Sequence, residues 1–188
     1  MAGPYTSTIP SGLTDWSSSL VFPKFDSSLG TLTSVQFELS SGMSTTVTVQ
    51  NDGNSTSSGW AKTEVILTVQ DPNGYFGSPQ IDYMSPAYDF VLDPNQTATS
   101  GTLTKTSSDS WIYSDAGTLA EFTGSGNISL SAATLTYTVL SYTGGNAAAV
   151  QVTDAQATGK ITYFYDVPEP ATLSLLAVSG LAMLRRRK

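Results

Sequence analysis

Apolar and polar residues alternate along three stretches of the chain. Val35, Phe37 and Leu39 are separated by polar residues between Thr33 and Leu39. The same period of two recurs around Val47 and Val49 and again in the stretch 60–70, where every second residue from 65 to 69 is apolar. Successive side chains of a strand point to opposite faces, so this period predicts half-buried β-strands.

Shorter apolar runs bounded by turn-forming residues predict further strands. They lie at about 88–92, 101–105, 110–113, 119–122, 128–130, 135–142, 148–153 and 159–165. Residues 1–18 are rich in turn formers and are predicted to be irregular, with a candidate edge strand only at 5–9. About ten short strands and no helix before residue 167 predict an all-β fold, an antiparallel and jelly-roll-like β-sandwich over residues 19–166.

The last 22 residues, 167–188, have a different pattern in three parts. Val167-Pro168-Glu169-Pro170 is held extended by its two prolines. Ala171–Leu184 carries no charge, and Arg185-Arg186-Arg187-Lys188 closes the chain. The uncharged run predicts one short C-terminal transmembrane helix of about 21 Å, less than the roughly 30 Å of a bilayer core. Snorkelling and local thinning cover the difference, and the basic cluster stays on the cytoplasmic side.

The order of tag, apolar run and basic cluster resembles the PEP-CTERM sorting signal of Gram-negative bacteria. The resemblance implies that an exosortase, a membrane cysteine protease, processes the chain near the tag during export. Residues 20–39, LVFPKFDSSLGTLTSVQFEL, are similar in addition to the start of the choice-of-anchor E domain of exported bacterial proteins. That second resemblance implies no activity.

Charge and composition agree with an exported protein. Residues 1–166 hold four lysines against fourteen acidic residues, a net charge of −10, which excludes nucleic acid as a partner. No basic and apolar leader opens the chain, so we expect the export signal to have been removed or to lie upstream of residue 1.

The chain has neither histidine nor cysteine. Disulfides, thiolate and imidazole metal sites, and Ser-His-Asp or Cys-His catalysis are therefore excluded. We expect no catalytic residues, no metal or other cofactor, and no enzymatic activity.

Three weaker site hypotheses remain open. Asp71, Asn73 and Gly74, like Asn51, Asp52 and Asn54, resemble the opening of a calcium loop, although the spacing fits plain turns better. Exposed aromatic residues are candidates for stacking on sugars: Trp16, Trp60, Trp111 and the tyrosines between 75 and 88. Asp89 with Asp93, or Glu64 with Glu121, are the only acid–base pairs that we can pose for a glycosidase.

Together these patterns indicate a protein exported through the inner membrane to the cell surface or the extracellular matrix. We expect a structural or adhesive role in a biofilm, with exosortase as the processing partner and exopolysaccharide as a further contact. The alternatives are a carbohydrate-binding module without catalysis and, less favoured, an extracellular hydrolase.

Overall fold

A computed structural model describes residues 1–168 and shows two antiparallel five-stranded sheets packed face to face. The strands in chain order are β1 (Ala2–Leu13), β2 (Ser17–Pro23), β3 (Thr31–Asn51), β4 (Ser57–Gln70), β5 (Gln80–Met84), β6 (Tyr88–Leu92), β7 (Thr97–Thr99), β8 (Leu103–Tyr113), β9 (Asn127–Thr143) and β10 (Ala147–Asp166). A 3₁₀ turn covers Ser27–Leu29, and one helix, α1, covers Ala116–Phe122.

The first sheet has the order β1-β10-β3, with β7 and β8 both paired to the far side of β3. The second sheet has the order β2-β9-β4, with β5 and β6 both paired to the far side of β4. Most long strands that follow each other in the chain therefore lie in opposite sheets. The strand order is that of a jelly roll whose outer strands are split in two. The all-β antiparallel sandwich is confirmed.

The core lies between the sheets and takes every second residue of the long strands. Val35, Phe37 and Leu39 of β3 are fully buried, as the alternation predicts, and the apolar face of β4 meets them from the other sheet. Phe76 joins this core from the loop after β4, with ring centroids 5.0 Å from Phe37 and 4.2 Å from Tyr113. Aromatic packing at these distances adds to the burial energy.

Several strands are longer than the sequence pattern predicts, because pairs of predicted strands join into one. β3 continues through Ser41 and Gly42, where the period of apolar residues fails. Ser41 is buried all the same: its Oγ lies 2.6 Å from the Tyr83 hydroxyl and donates to the carbonyl oxygen of Gln156 at 2.8 Å. A hydroxyl group whose hydrogen bonds are satisfied can occupy a core position, so the polar residue Ser41 does not end β3.

Two predictions for the local structure are wrong. Residues 1–18 were expected to be irregular apart from a candidate edge strand at 5–9, but Ala2–Leu13 forms β1, an edge strand of the first sheet that includes 5–9 and is longer than predicted. An edge strand tolerates proline and buries few side chains, so its sequence lacks the usual period. Residues 119–122 were expected to be a strand, but they belong to α1. The Asp115 carboxylate caps this helix by accepting from the Thr118 amide at 2.9 Å.

Within residues 1–168, no helix has the length and apolar character needed to cross a bilayer. The predicted transmembrane segment Ala171–Leu184 lies outside the described residues, as do Glu169, Pro170 and Arg185–Lys188.

Candidate functional site

The candidate site is the junction between the sandwich and its C-terminal tail. β10 is hydrogen-bonded to β1 on one side and to β3 on the other, and its last partner pair is Asp166 with Thr31. Val167 follows at once and is 67% exposed, and Pro168 is exposed as well. The described part of the predicted tag therefore lies outside the sheet, with no linker between them.

Close packing fixes the end of β10. Tyr163 is fully buried, and its hydroxyl donates to the carbonyl oxygen of Pro23 at 2.7 Å. Burial, with a contribution from Tyr5, raises the pKa of the Tyr163 phenol, so that it stays a protonated donor. Phe25 packs against Tyr163 and Tyr165, with ring centroids 5.8 and 5.1 Å away. β10, from which the tag continues, is therefore held in the sandwich up to its last residue.

This anchoring limits how far the tag can carry the protein from a membrane. Val167–Pro170 is four residues, which span at most roughly 14 Å when fully extended. The predicted membrane segment Ala171–Leu184 therefore begins within about this distance of the end of the sandwich.

A pair of carboxyl groups lies between the loop after β4 and helix α1. Asp71 accepts the backbone amides of Tyr75 at 2.9 Å and Phe76 at 3.0 Å, and Asn73 Nδ2 donates to Glu121 Oε1 at 2.7 Å. Burial acts to raise the pKa of Asp71, but hydrogen bonds from Glu121 and from these amides outweigh it and lower the pKa. Burial first, then the hydrogen bond and the charge of Asp71, raise the pKa of Glu121 to about 7.

The other oxygen of Glu121, Oε2, is buried and has no hydrogen-bond partner in residues 1–168 when both groups are ionised. Besides burial, the hydrogen bond that a protonated Glu121 donates to Asp71 moves the two pKa values apart, raising that of Glu121 and lowering that of Asp71. The pair holds the loop that carries Phe76 into the core. The two carboxyl groups share one proton, and their hydrogen bond has a structural role.

We expect this pair to make stability depend on pH. The folded protein keeps Glu121 protonated between its ordinary pKa of 4.5 and about 7, whereas the unfolded chain does not. Because the folded state binds more protons in this window, stability falls as pH rises from 5 to 7. An effect on the order of 1 kcal/mol corresponds to a Tm change of about 2–4 °C for a chain of this size.

The measurement is a series of thermal unfolding curves between pH 5 and 8 for the wild type and for Glu121→Gln. The amide can donate to Asp71 but does not titrate, so the variant should show a flatter dependence of Tm on pH. The lowered pKa of Asp71 acts in the opposite sense and only at more acid pH. Equal slopes for the two proteins would contradict the assignment.

In both turns that resemble the opening of a calcium loop, side-chain oxygens are used by protein groups. Asp71 directs both carboxylate oxygens to backbone amides. Asn51 is fully buried, and both polar atoms of its side chain are hydrogen-bonded to backbone groups. No cluster of three or more His, Cys, Asp or Glu residues occurs in residues 1–168.

Asn51 instead joins three loops at the end of the sandwich opposite the tail. Its Nδ2 donates to the carbonyl oxygens of Ser55 at 2.9 Å, Leu92 at 3.0 Å and Asp93 at 3.2 Å. Its Oδ1 accepts the amides of Gly53 and Asn146, both at 3.0 Å. The sequence indicates only a turn here, since the partners lie up to 95 residues away.

The predicted aromatic sugar sites are dispersed. Trp111 packs on Phe37 in the core, and the Trp16 indole donates to the carbonyl oxygen of Ala155 at 3.2 Å. Trp60 lies on the outer face of β4, but Lys62 Nζ is 4.9 Å from its ring centroid and covers the ring. Of the tyrosines, Tyr83 is buried, whereas Tyr75 is 54% exposed beside α1.

The predicted acid–base pairs are not formed as posed. Glu64 lies on β4 beside Asp82, where burial and the Asp82 charge raise the pKa of Glu64, while Glu121 pairs with Asp71. Asp89 lies opposite Trp60, and Asp93 accepts from Thr56 Oγ1 at 3.1 Å beyond the end of β6. The Asp71–Glu121 contact was missed because nothing local in the sequence joins the two residues.

Comparison with known proteins supports the reading of the tail. A known protein-sorting motif matches the tail, and it indicates an exported protein directed to the cell surface. Residues 166–188 match the PEP-CTERM protein-sorting motif, so the chain carries this signal, and the exosortase that recognises such signals fits as its partner. The match covers only the tail. The similarity of residues 20–39 to the choice-of-anchor E domain stays a prediction.

No curated protein matches the chain. Among solved structures, those of the infectious bursal disease virus Gx and Gt strains align with this chain at 11% and 13% identity, with TM-scores of 0.18 and 0.13. These alignments cover 93% and 97% of this chain and 47% and 46% of the viral chains. A Clostridium thermocellum xylanase 10B with CBM22-1 and GH10 modules, bound to xylohexaose, aligns at 13% identity and a TM-score of 0.16, over 88% of this chain and 27% of that one. This chain spans less than half the length of each, and TM-scores this low establish no shared fold.

Proposed function

We propose that this protein is a structural or adhesive component of the cell surface or extracellular matrix of a Gram-negative bacterium, without catalytic activity. The observation that carries the proposal is the PEP-CTERM motif at residues 166–188, joined without a linker to the last strand of a folded sandwich. An exported body with an acidic, Ser- and Thr-rich sequence suits a hydrated polysaccharide matrix.

Each part of the tail has a role in the proposal. Val167, Pro168, Glu169 and Pro170 form the stretch that exosortase recognises, with Glu169 making a charge-assisted contact to a basic group of the enzyme. Ala171–Leu184 retains the precursor in the inner membrane. Arg185, Arg186, Arg187 and Lys188 keep the end of the chain cytoplasmic. Cleavage then releases the sandwich towards the surface.

The test is to replace Pro168, Glu169 and Pro170 with alanine. The triple variant should lose its rigid extended shape and its charge, so that the full-length form accumulates in the inner membrane and the mature form outside falls at least tenfold. Immunoblots of cell fractions from an exosortase-bearing host measure both forms.

Two controls complete the experiment. Asp89→Ala removes an exposed carboxylate outside the tag and should mature normally. A strain without exosortase should accumulate the wild-type precursor as the triple variant does. Normal maturation of the triple variant would show that the tag is only a linker, and the proposed sorting mechanism would be withdrawn.

A further inference from the structure

The outer face of the first sheet carries a groove that no assigned function uses. It consists of two adjoining depressions of about 300 and 420 Å³, which share Ser40, Ser108 and Thr158. These volumes fall within or near the roughly 300–1,000 Å³ of ligand sites. The groove follows β3 from Gly42 to Glu38 between β8 and β10, a length of about 13 Å at the rise of a strand.

Small residues in the middle of the sheet make the floor of the groove. A Cβ at Gly42 would lie 3.3 Å from Gln156 Nε2 and 3.4 Å from Thr106 Cγ2, so the glycine keeps this space open. Ser40 and Ser108 continue the low floor on neighbouring strands. Longer side chains on β10 rise beside it, namely the exposed Gln156 and the half-buried Lys160.

The groove offers hydrogen-bonding groups that the fold does not consume. Within residues 1–168, the side chains of Thr106, Ser108 and Gln156 make no hydrogen bond to the protein. Glu38 and Lys160 form an ion pair at 2.9 Å, in which each partner keeps further hydrogen-bonding capacity. Hydroxyl, amide and carboxylate groups thus converge on one channel.

The chemistry of the lining selects the ligand. No aromatic side chain lines either depression, and the one apolar lining residue, Leu39, is buried, so the groove has no surface for an apolar molecule. Asp109 adds a carboxylate beside the balanced Glu38–Lys160 pair, and the body as a whole has a net charge of −10. A polyanion is therefore repelled, whereas an uncharged polymer rich in hydroxyl groups meets matching donors and acceptors.

We propose that this groove binds a strand of neutral, hydroxyl-rich polysaccharide. The biological meaning of the site rests on the proposed matrix role, but the binding itself does not depend on sorting. Without a stacking platform, the contact is made by hydrogen bonds alone and is weak, with a Kd in roughly the millimolar range for a short segment. Many copies on one long polymer would make it effective.

The experiment is affinity electrophoresis of the full chain in a polyoxyethylene detergent, which has no sugar headgroup. Gels contain dextran, soluble starch, hydroxyethylcellulose or, as the polyanion, alginate. We expect retardation by at least one neutral polymer and none by alginate. Ser108→Tyr fills the shared centre of the groove and should weaken retardation at least tenfold. Gln156→Ala removes one hydrogen-bonding partner and should weaken it about fivefold.

Ser129→Tyr is the matched control, because Ser129 is an exposed strand serine on the second sheet. It should bind like the wild type, and equal Tm values would show that both tyrosine variants fold. Retardation by no neutral polymer, preference for alginate, or unchanged binding by Ser108→Tyr would each overturn the proposal. Loss only in Ser129→Tyr would place the site on the second sheet and overturn it as well. None of these outcomes affects maturation of the precursor in cells, so failure of the groove and failure of the sorting proposal are distinguishable.

Discussion

Asn51→Ala should destabilise the protein by about 2–4 kcal/mol, since a buried polar group left without a partner costs roughly 1–3 kcal/mol and each further hydrogen bond lost costs roughly 0.5–1.5 kcal/mol. The change removes the hydrogen-bond partner of three carbonyl oxygens and two amides; the carbonyl oxygen of Leu92 is buried and the other four groups are partly buried. A domain of this size has only about 5–15 kcal/mol to lose. Urea unfolding followed by circular dichroism should therefore show a large fall in the midpoint.

The matched control is Asn54→Ala, three residues further along the same turn. Asn54 is exposed, and its replacement should change stability by no more than about 0.5 kcal/mol. Comparable midpoints for the two variants would contradict the role given to Asn51. The spacing Asn51-Asp52-Gly53-Asn54 would then be a simple turn, as the sequence alone suggests.

Gly30→Ala should cost about 2–4 kcal/mol, because it combines a strained backbone with a steric overlap. Gly30 has φ +144°, and a Cβ there would overlap the carbonyl oxygen of Asp166 at the end of β10. The overlap is relieved only if Gly30 and Asp166 move apart, which disturbs the contact that holds the end of β10. Hydrogen exchange at the last amides of β10 should therefore be faster than the lower free energy of global unfolding alone would explain.

Gly126→Ala separates the two causes. Gly126 also has a positive φ, +85°, but a Cβ there would have no neighbour within 4 Å. Its cost should be that of backbone strain, about 1 kcal/mol, without faster exchange in β10. If Gly126→Ala loosened β10 as much as Gly30→Ala did, direct contact between Gly30 and Asp166 would not be what holds the strand.

The sequence predicts those parts of the fold in which burial alternates. Val35, Phe37 and Leu39 reveal β3 because they face the core one after another. The same strand is hidden around Ser41 and Gly42, where a buried hydroxyl and a missing side chain interrupt the pattern. β1 was predicted only at 5–9, because Ile9 is its one buried residue and its sequence has no regular apolar period, and α1 was missed because its seven residues are too few for a helical period to emerge.

The sorting tail and the groove also differ in how far the sequence alone reveals them. The sorting tail is contiguous, so its order of tag, apolar run and basic cluster can be read without a structure. The groove is assembled from Ser40, Ser108 and Thr158, which come from three strands far apart in the chain. No local pattern brings those three residues together, and only the pairing of β8 and β10 with β3 does so.

The position of β10 also determines how the protein would carry a mechanical load. This strand has twenty residues and is flanked by β1 and β3, and the tail continues directly from its end. Hydrogen bonds in antiparallel pairs run perpendicular to the strands, so a pull along β10 shears many of them at once and does not open them one by one. A load applied at the C-terminal end of β10 would therefore act on many hydrogen bonds at once, and the sandwich would resist unfolding better in this direction than when its strands are peeled apart.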